Sequence, residues 1–223
     1  MAPQVKTRER IIQASLELFN TQGERNVTTN HIAAHMGISP GNLYYHFRNK
    51  QAVIAELMQR YEAQVDQFLR LPEERPVVIE DKAVYMERLL AAMWQFRFLH
   101  RDLEHLLESD AQLAERYQVF AKRCLHHAMQ IFQGFVDAGI LLMTPLQIEA
   151  LTLNSWIVLT SWVRFLCTAM KPTTELDEQL LRRGVFQVMA LEDGYVAPQW
   201  QDAAREIYDS LYVQLDLHSH PVA

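Results

Sequence analysis

The stretch TTNHIAAHMGISPGNLYYHFRNK, from Thr28 to Lys50, decides the reading of this 223-residue chain. It holds two short helical patterns separated by a turn. Thr28 is an N-cap, and Ile32, Ala33 and Met36 follow at the spacing of a buried helical stripe. Gly37 stops that helix, because glycine tolerates the positive φ that closes a helix end. The second helix has a full set of start signals. Ser39 is its N-cap, Pro40 takes the first helical position, and Ile38 is placed to staple against Leu43. At about 100° per residue, Leu43 and Phe47 share the buried side. Gly41, Asn42 and Tyr45 then point away from the core, flanked by Tyr44 and His46.

A short helix anchored by two large apolar residues and showing glycine, amide and phenol outward suits the major groove of DNA. Asn bonds adenine in a bidentate way, glycine permits close backbone approach, and tyrosine hydroxyls reach phosphates or base edges. The spacing therefore assigns base readout to Gly41, Asn42 and Tyr45, and phosphate contacts to Thr28, Tyr44 and His46, with Ser39 and Pro40 at the helix start.

Charge is distributed to match. Residues 1–50 carry six Lys or Arg against three acids, a balance of +3, and the remainder carries 15 basic and 24 acidic residues, a balance of −9. A basic module joined to an acidic body is the asymmetry expected when one end meets phosphate. MAPQVKTRER at the start lacks the apolar run of a signal peptide, and Cys124 and Cys167 lie in apolar helical patterns that read as buried thiols. A cytoplasmic protein is expected.

The segments TRERIIQASLELFNTQG and VTTNHIAAHMGISPGNLYYHFRNK resemble the DNA-binding domain of the TetR/AcrR family of transcriptional regulators, over roughly the first 60 residues. Ile32-Ala33, Gly37 to Ser39 and Leu43 to Phe47 fall at the family's spacing. His31 departs from the pattern, since an acidic residue often stands there and completes a capping box. The resemblance implies an all-α protein that binds a palindromic operator as a homodimer, in most cases as a repressor. It further implies release by a small apolar or amphipathic effector and a phosphate contact from a lysine at position 50.

The rest of the chain reads as helices. Helix 1 is expected over Lys6–Gln22. Asn49 caps a fourth helix from Lys50, with no flexible linker, so the domains divide as 1–49 for DNA binding and 50–223 for effector binding and dimerisation. The prolines of LPEERP break that helix. A long pattern runs from Ile79 to His100, a short segment covers Leu103–Leu107, and a helix spans Asp110–Ala138, closed by Gly139. Pro145–Met170 is apolar nearly all round. Its length suits a membrane span, but Asn154, Ser155, Thr160, Ser161 and Arg164 lie within it, so no membrane partner is expected and one side is taken to pack on a second subunit. Thr174–Leu191 would complete that interface, which Leu159, Val163, Leu181, Val185 and Val188 are expected to form. A last helix is expected over Gln199–Leu217, with a frayed HSHPVA end.

No phosphate loop, GxSxG, HExxH or paired CxxC is present, so no enzyme and no cofactor is expected. His31 and His35 have the i, i+4 spacing of metal ligands without a third ligand nearby, and they read as surface or phosphate-side histidines. Trp94, Phe98, Tyr117, Phe120, Met129, Phe132 and Trp156 line either a solid core or an effector pocket. Arg97, Arg101 and Arg164 need partners if buried, with Asp102 or Glu104 as internal candidates. A second reading makes the chain a small-molecule-binding protein or all-α enzyme whose N-terminal module serves assembly only. A third is a regulator that binds DNA constitutively.

Overall fold

The computed structural model describes residues 6–170 and 176–215. Among them are ten α-helices: α1 (Thr7–Gln22), α2 (Thr29–Met36), α3 (Pro40–His46), α4 (Lys50–Phe68), α5 (Glu80–Gln95), α6 (Arg97–Ser109), α7 (Ala111–Asp137), α8 (Pro145–Phe165), α9 (Glu178–Glu192) and α10 (Gln201–Leu211). The described residues contain no strand, only an isolated bridge between Leu141 and Val196. The all-α expectation holds.

The chain forms two compact units that divide it elsewhere than at 49/50. Among the described residues, the first contains 6–67 and 95–122, the second 68–94, 123–170 and 176–215. The first unit is built on α1, whose Ile11, Ile12, Leu18 and Phe19 are buried with Ile32 and Ala33 of α2, Leu43 and Phe47 of α3, and Val53, Ile54 and Leu57 of α4. Ion pairs fix α4 against α1: Arg8 donates to Glu56 at 3.1 and 2.8 Å, and Arg60 donates to Glu9 at 2.7 and 2.6 Å. Hydrogen bonding from Arg60 holds the Glu9 carboxyl below its usual range, and Arg8 does the same for Glu56.

The pattern from Ile79 to His100 is two helices, because α5 stops at Gln95 and α6 runs unbroken over Arg97–Ser109, absorbing the short segment at Leu103–Leu107. The break is made by α1. Asn20 Nδ2 donates to the Gln95 carbonyl at 2.8 Å and Asn20 Oδ1 accepts from Phe98 N–H at 3.1 Å, so one amide caps the end of α5 and the start of α6. In return Arg101 of α6 donates to the Phe19 and Asn20 carbonyls at 2.6 and 3.4 Å, capping the end of α1. Arg101 also pairs with Asp102 at 3.0 Å, the internal partner expected from sequence. Phe98 is fully buried and packs on Phe19 with ring centroids 5.3 Å apart.

The second unit has its own core, including Leu90, Met93, Ile131, Phe135, Val163, Leu166, Leu181, Val185 and Met189. Helices α8 and α9 pack closely, with Trp162 Nε1 donating to the Leu180 carbonyl at 2.7 Å. Gly184 lies directly against that indole. A Cβ there would stand 2.3–2.6 Å from its Cδ1, Cγ and Nε1 atoms, closer than any side chain can sit. A buried ion pair joins Lys82 Nζ to Glu192 Oε1 at 2.6 Å, with the ammonium 4.3 Å from the centroid of the Phe135 ring. Near it the Tyr208 hydroxyl is buried without a hydrogen-bond partner. Burial and the Glu192 and Asp193 charges push its ionisation well above the ordinary range.

Helix α9 begins at Glu178, capped by Asp177, later than the expected Thr174, which lies outside the described residues. Helix α10 ends at Leu211, and Tyr212 to Leu215 continue without helix; Leu217 and the HSHPVA end also lie outside them. Cys124 is buried and Cys167 half-buried, and neither is in a disulfide.

Candidate nucleic-acid interface

Helix α3 is anchored by Leu43 within it and Phe47 at its end, and its remaining residues are exposed or half-buried. Thr28 caps α2 by accepting from His31 N–H at 3.2 Å. His31 closes the capping box in place of an acid, its Nδ1 accepting from Thr28 N–H at 3.4 Å and lying 3.1 Å from the Asn26 carbonyl. Gly37, at φ +66°, ends α2 in the left-handed conformation that aims the turn into α3. Ser39 caps α3 by accepting from Asn42 N–H at 3.2 Å, and Pro40 stands at its first turn.

Leu43 and Phe47 are buried as the periodicity requires, and Gly41, Asn42, Tyr44 and Tyr45 are exposed. Tyr45 is 85% exposed, the highest value among the large apolar side chains that the fold leaves uncovered. Tyr44 is turned differently, its hydroxyl 3.0 Å from Thr29 Oγ1, which links α3 to the start of α2. His46 is half-buried, with its ring edge-on to Tyr45 at 5.1 Å. Gly41, Asn42 and Tyr45 form the outward face, while Thr28, Tyr44 and His46 surround it.

Lys50 is the exception. Its Nζ lies 2.6 Å from Glu24 Oε1 and donates to the Glu24 carbonyl at 3.1 Å, so it is already paired within the unit. His35, one of the two histidines at metal-ligand spacing, faces Glu17 at 3.8 Å.

Residues 11–57 match the family model described as "Bacterial regulatory proteins, tetR family", and residues 60–204 match one described as "Bacterial transcriptional repressor". This chain is a TetR-family transcriptional regulator. A TetR-family regulator of Marinobacter aquaeolei VT8, solved as a crystal structure, is 45% identical, with 94% of this chain and 100% of that one covered at a TM-score of 0.86. An HTH-type transcriptional regulator of Staphylococcus aureus (strain bovine RF122 / ET3-1) is 25% identical over 150 residues, 66% of this chain and 79% of its own. The tetracycline repressor protein class C of Escherichia coli is 38% identical over 52 residues, 23% of this chain and 24% of its own. As a TetR-family regulator the protein is a DNA-binding protein of the helix-turn-helix type.

The seven aromatic and methionine residues expected around an effector fall in both compact units. Phe98, Tyr117 and Phe120 belong to the first, where Phe98 is core of the reading module and Phe120 packs edge-on against Tyr61 at 5.7 Å. Trp94, Met129, Phe132 and Trp156 belong to the second; Trp94 and Phe132 are packed on its core, and Met129 is 40% exposed.

The expected dimer residues need correction. Val163, Leu181, Val185 and Val188 are buried in the regulator's own second unit, and Leu159 packs against that core, so none of the first four has surface to offer a partner. On α8 a helix apolar all round carries no polar face to fix its phase, and on α9 the apolar stripe of Leu181, Val185 and Val188 is the face turned to the protein's own core. The exposed apolar side holds Leu153, Ile157, Phe165 and Leu191 instead. Between α8 and α9 on that side lies a groove of about 330 Å³ lined by Ile157, Val158, Ser161, Trp162, Phe165, Gln187 and Leu191. The 26 residues Pro145–Met170 are long and apolar enough to cross a membrane, and a third of their most apolar window is buried within the protein.

Proposed function

We propose that this TetR-family regulator is a homodimeric repressor whose two α3 helices read adjacent major grooves of a palindromic operator. The observation that carries the reading is the outward face of α3: Tyr45, Asn42 and Gly41 displayed together on a helix whose opposite side is fully committed to the core. Tyr45 and Asn42 contact base edges, and Gly41 lets the backbone approach. Thr28, Tyr44, His46 and Lys50 contact phosphates, and the start of α3 at Ser39 and Pro40 faces the backbone of the same groove.

The second subunit covers the apolar side of α8 and α9. Exposed Ile157, Phe165 and Leu191 around an open groove support this, since a monomer gains nothing by leaving such a face in water. A small apolar or amphipathic effector lowers operator affinity by binding the non-fitting arrangement better, with a coupling of about 1–3 kcal/mol.

Selection of bound duplexes from a random library, with the stoichiometry of the best duplex measured by sedimentation, tests the reading. A palindrome with half-sites about one helical turn apart, bound by a dimer, is expected. Recovery of no enriched sequence would sink it. Tyr45→Ala should weaken binding to the selected duplex by about 1–3 kcal/mol while leaving non-specific binding nearly unchanged, and an equal loss on both duplexes would remove Tyr45 from base readout.

A further inference from the structure

Glu24 is a buried carboxylate held between two basic side chains that compete for it. It sits in the 3₁₀ turn between α1 and α2, with its side chain only 4% exposed. Oε1 is taken by Lys50 Nζ at 2.6 Å. Oε2 is buried and accepts no hydrogen bond, and the basic group facing it is His105 of α6, whose Nε2 stands 3.9 Å away. Of the other charged groups around this turn, Asp102 accepts from Glu24 N–H at 3.4 Å and is paired with Arg101 at 3.0 Å, and Arg25, the next residue in the turn, is exposed.

Lys50 therefore has two claims on its charge. As a phosphate contact it must leave Glu24, and a buried carboxylate stripped of its only cation is costly to keep ionised. A proton on His105 Nε2 removes that cost, because the imidazolium then faces the vacant Oε2 as a charged donor. We infer that operator binding is proton-linked through a counter-ion exchange, in which Lys50 passes from Glu24 to a DNA phosphate as His105 takes up a proton from solvent and replaces it. The inference rests on the reading of Lys50 as a phosphate contact and adds to it a partner on α6. Imidazole is the side chain suited to the exchange, since its charge changes between about pH 5 and 8.

The sign follows directly. A proton taken up on binding makes affinity rise as pH falls, by up to about tenfold per pH unit for each proton. The first unit also contains His31, His35 and His46, so the diagnostic quantity is the share of the pH dependence that His105 carries.

The test measures affinity for the selected duplex at about pH 6 and about pH 8 and at several salt concentrations, for the full-length protein and three variants. His105→Ala, at a partly exposed site on α6, should weaken binding at the lower pH and reduce the pH dependence. Glu24→Gln removes the charge that holds Lys50, leaving only its bond to the backbone carbonyl of residue 24 and no buried charge, and should bind more tightly than the parent at the higher pH, a gain that damage to the fold does not produce. Lys50→Ala should lose the same share of pH dependence together with about one unit of salt slope per subunit. Unchanged pH dependence in His105→Ala would overturn the exchange, and so would weaker binding by a folded Glu24→Gln protein. An unchanged salt slope in Lys50→Ala would instead remove the phosphate contact beneath it, and absence of any sequence-specific binding would remove the operator reading itself.

Discussion

Removing one member of the Lys82–Glu192 pair should cost far more than removing both. The two groups meet at 2.6 Å with each side chain 3% exposed, and the ammonium also rests over Phe135 at 4.3 Å. In an effective dielectric of about 20, the attraction at this separation is about 6 kcal/mol, most of it cancelled by the drying of both ions. Lys82→Met leaves Glu192 buried without its cation beside the unsatisfied Tyr208 hydroxyl, and should cost about 3–5 kcal/mol. Glu192→Leu strands the ammonium and should cost about as much. The double variant replaces the pair by apolar groups of similar size and should lie within about 1 kcal/mol of the parent. The resulting coupling energy, at least about 5 kcal/mol, is read from urea unfolding followed by far-UV circular dichroism. One fixed protein concentration is needed, because subunit association would otherwise enter the midpoint. Single variants costing less than about 1 kcal/mol, or a double variant equal to their sum, would show that the pair is solvated and refute the argument.

Two further effects follow from single contacts. His100 is buried against Tyr61, with Nε2 and the phenol oxygen 3.1 Å apart, and burial pushes its imidazole down to about 4. The unfolded chain takes up a proton below about pH 6.5 while the folded one does not, so the contribution is fully present above that value. It is lost as pH falls toward 4, at up to about 1.4 kcal/mol per unit. His100→Gln should flatten that slope, and an unchanged slope would place the acid sensitivity elsewhere. Gly184→Ala forces a methyl into the Trp162 ring and breaks the indole bond to Leu180, which should cost about 1–3 kcal/mol in unfolding experiments and weaken subunit association through the displaced groove wall. A wild-type midpoint and dimer constant would show that the ring has room to move.

The reading module was legible because its short helices state their own ends. Thr28, Ser39 and Pro40 occupy the cap and first-turn positions assigned to them, and Leu43 and Phe47 fix the phase of α3 so tightly that the exposed face followed without ambiguity. The break at Phe96 was not legible, because the residues around it contain neither glycine nor proline nor a local cap. Its cap is Asn20, more than seventy residues away, and no local pattern can report a hydrogen bond of that kind. The phase of α8 was misread for the opposite reason, an excess of apolar residues on every face. Lys82 and Glu192 were passed over because a lone lysine and a lone glutamate on separate amphipathic helices look solvated until the fold brings them together across 110 residues.

Asn20 and Arg101 also change what counts as the reading module. Each of α1 and α6 supplies the side chain that terminates the other, so neither end is complete alone. The orphan groups at these ends are backbone amides and carbonyls that must find partners wherever they are buried. A shift of α6 that broke the Arg101 bonds would uncover the end of α1, and the Asn20 bonds would be lost with it. The helices therefore move together or pay for both ends. The sequence pointed to α4 as the continuous connection, and its 19 residues do run directly from Lys50. Yet the first compact unit takes in α6 as well, through bonds made at helix termini and through Asp102 and His105 around Glu24. Both helices reach the same turn, and Glu24 is where they meet: Lys50 opens α4 on one of its oxygens and His105 of α6 faces the other.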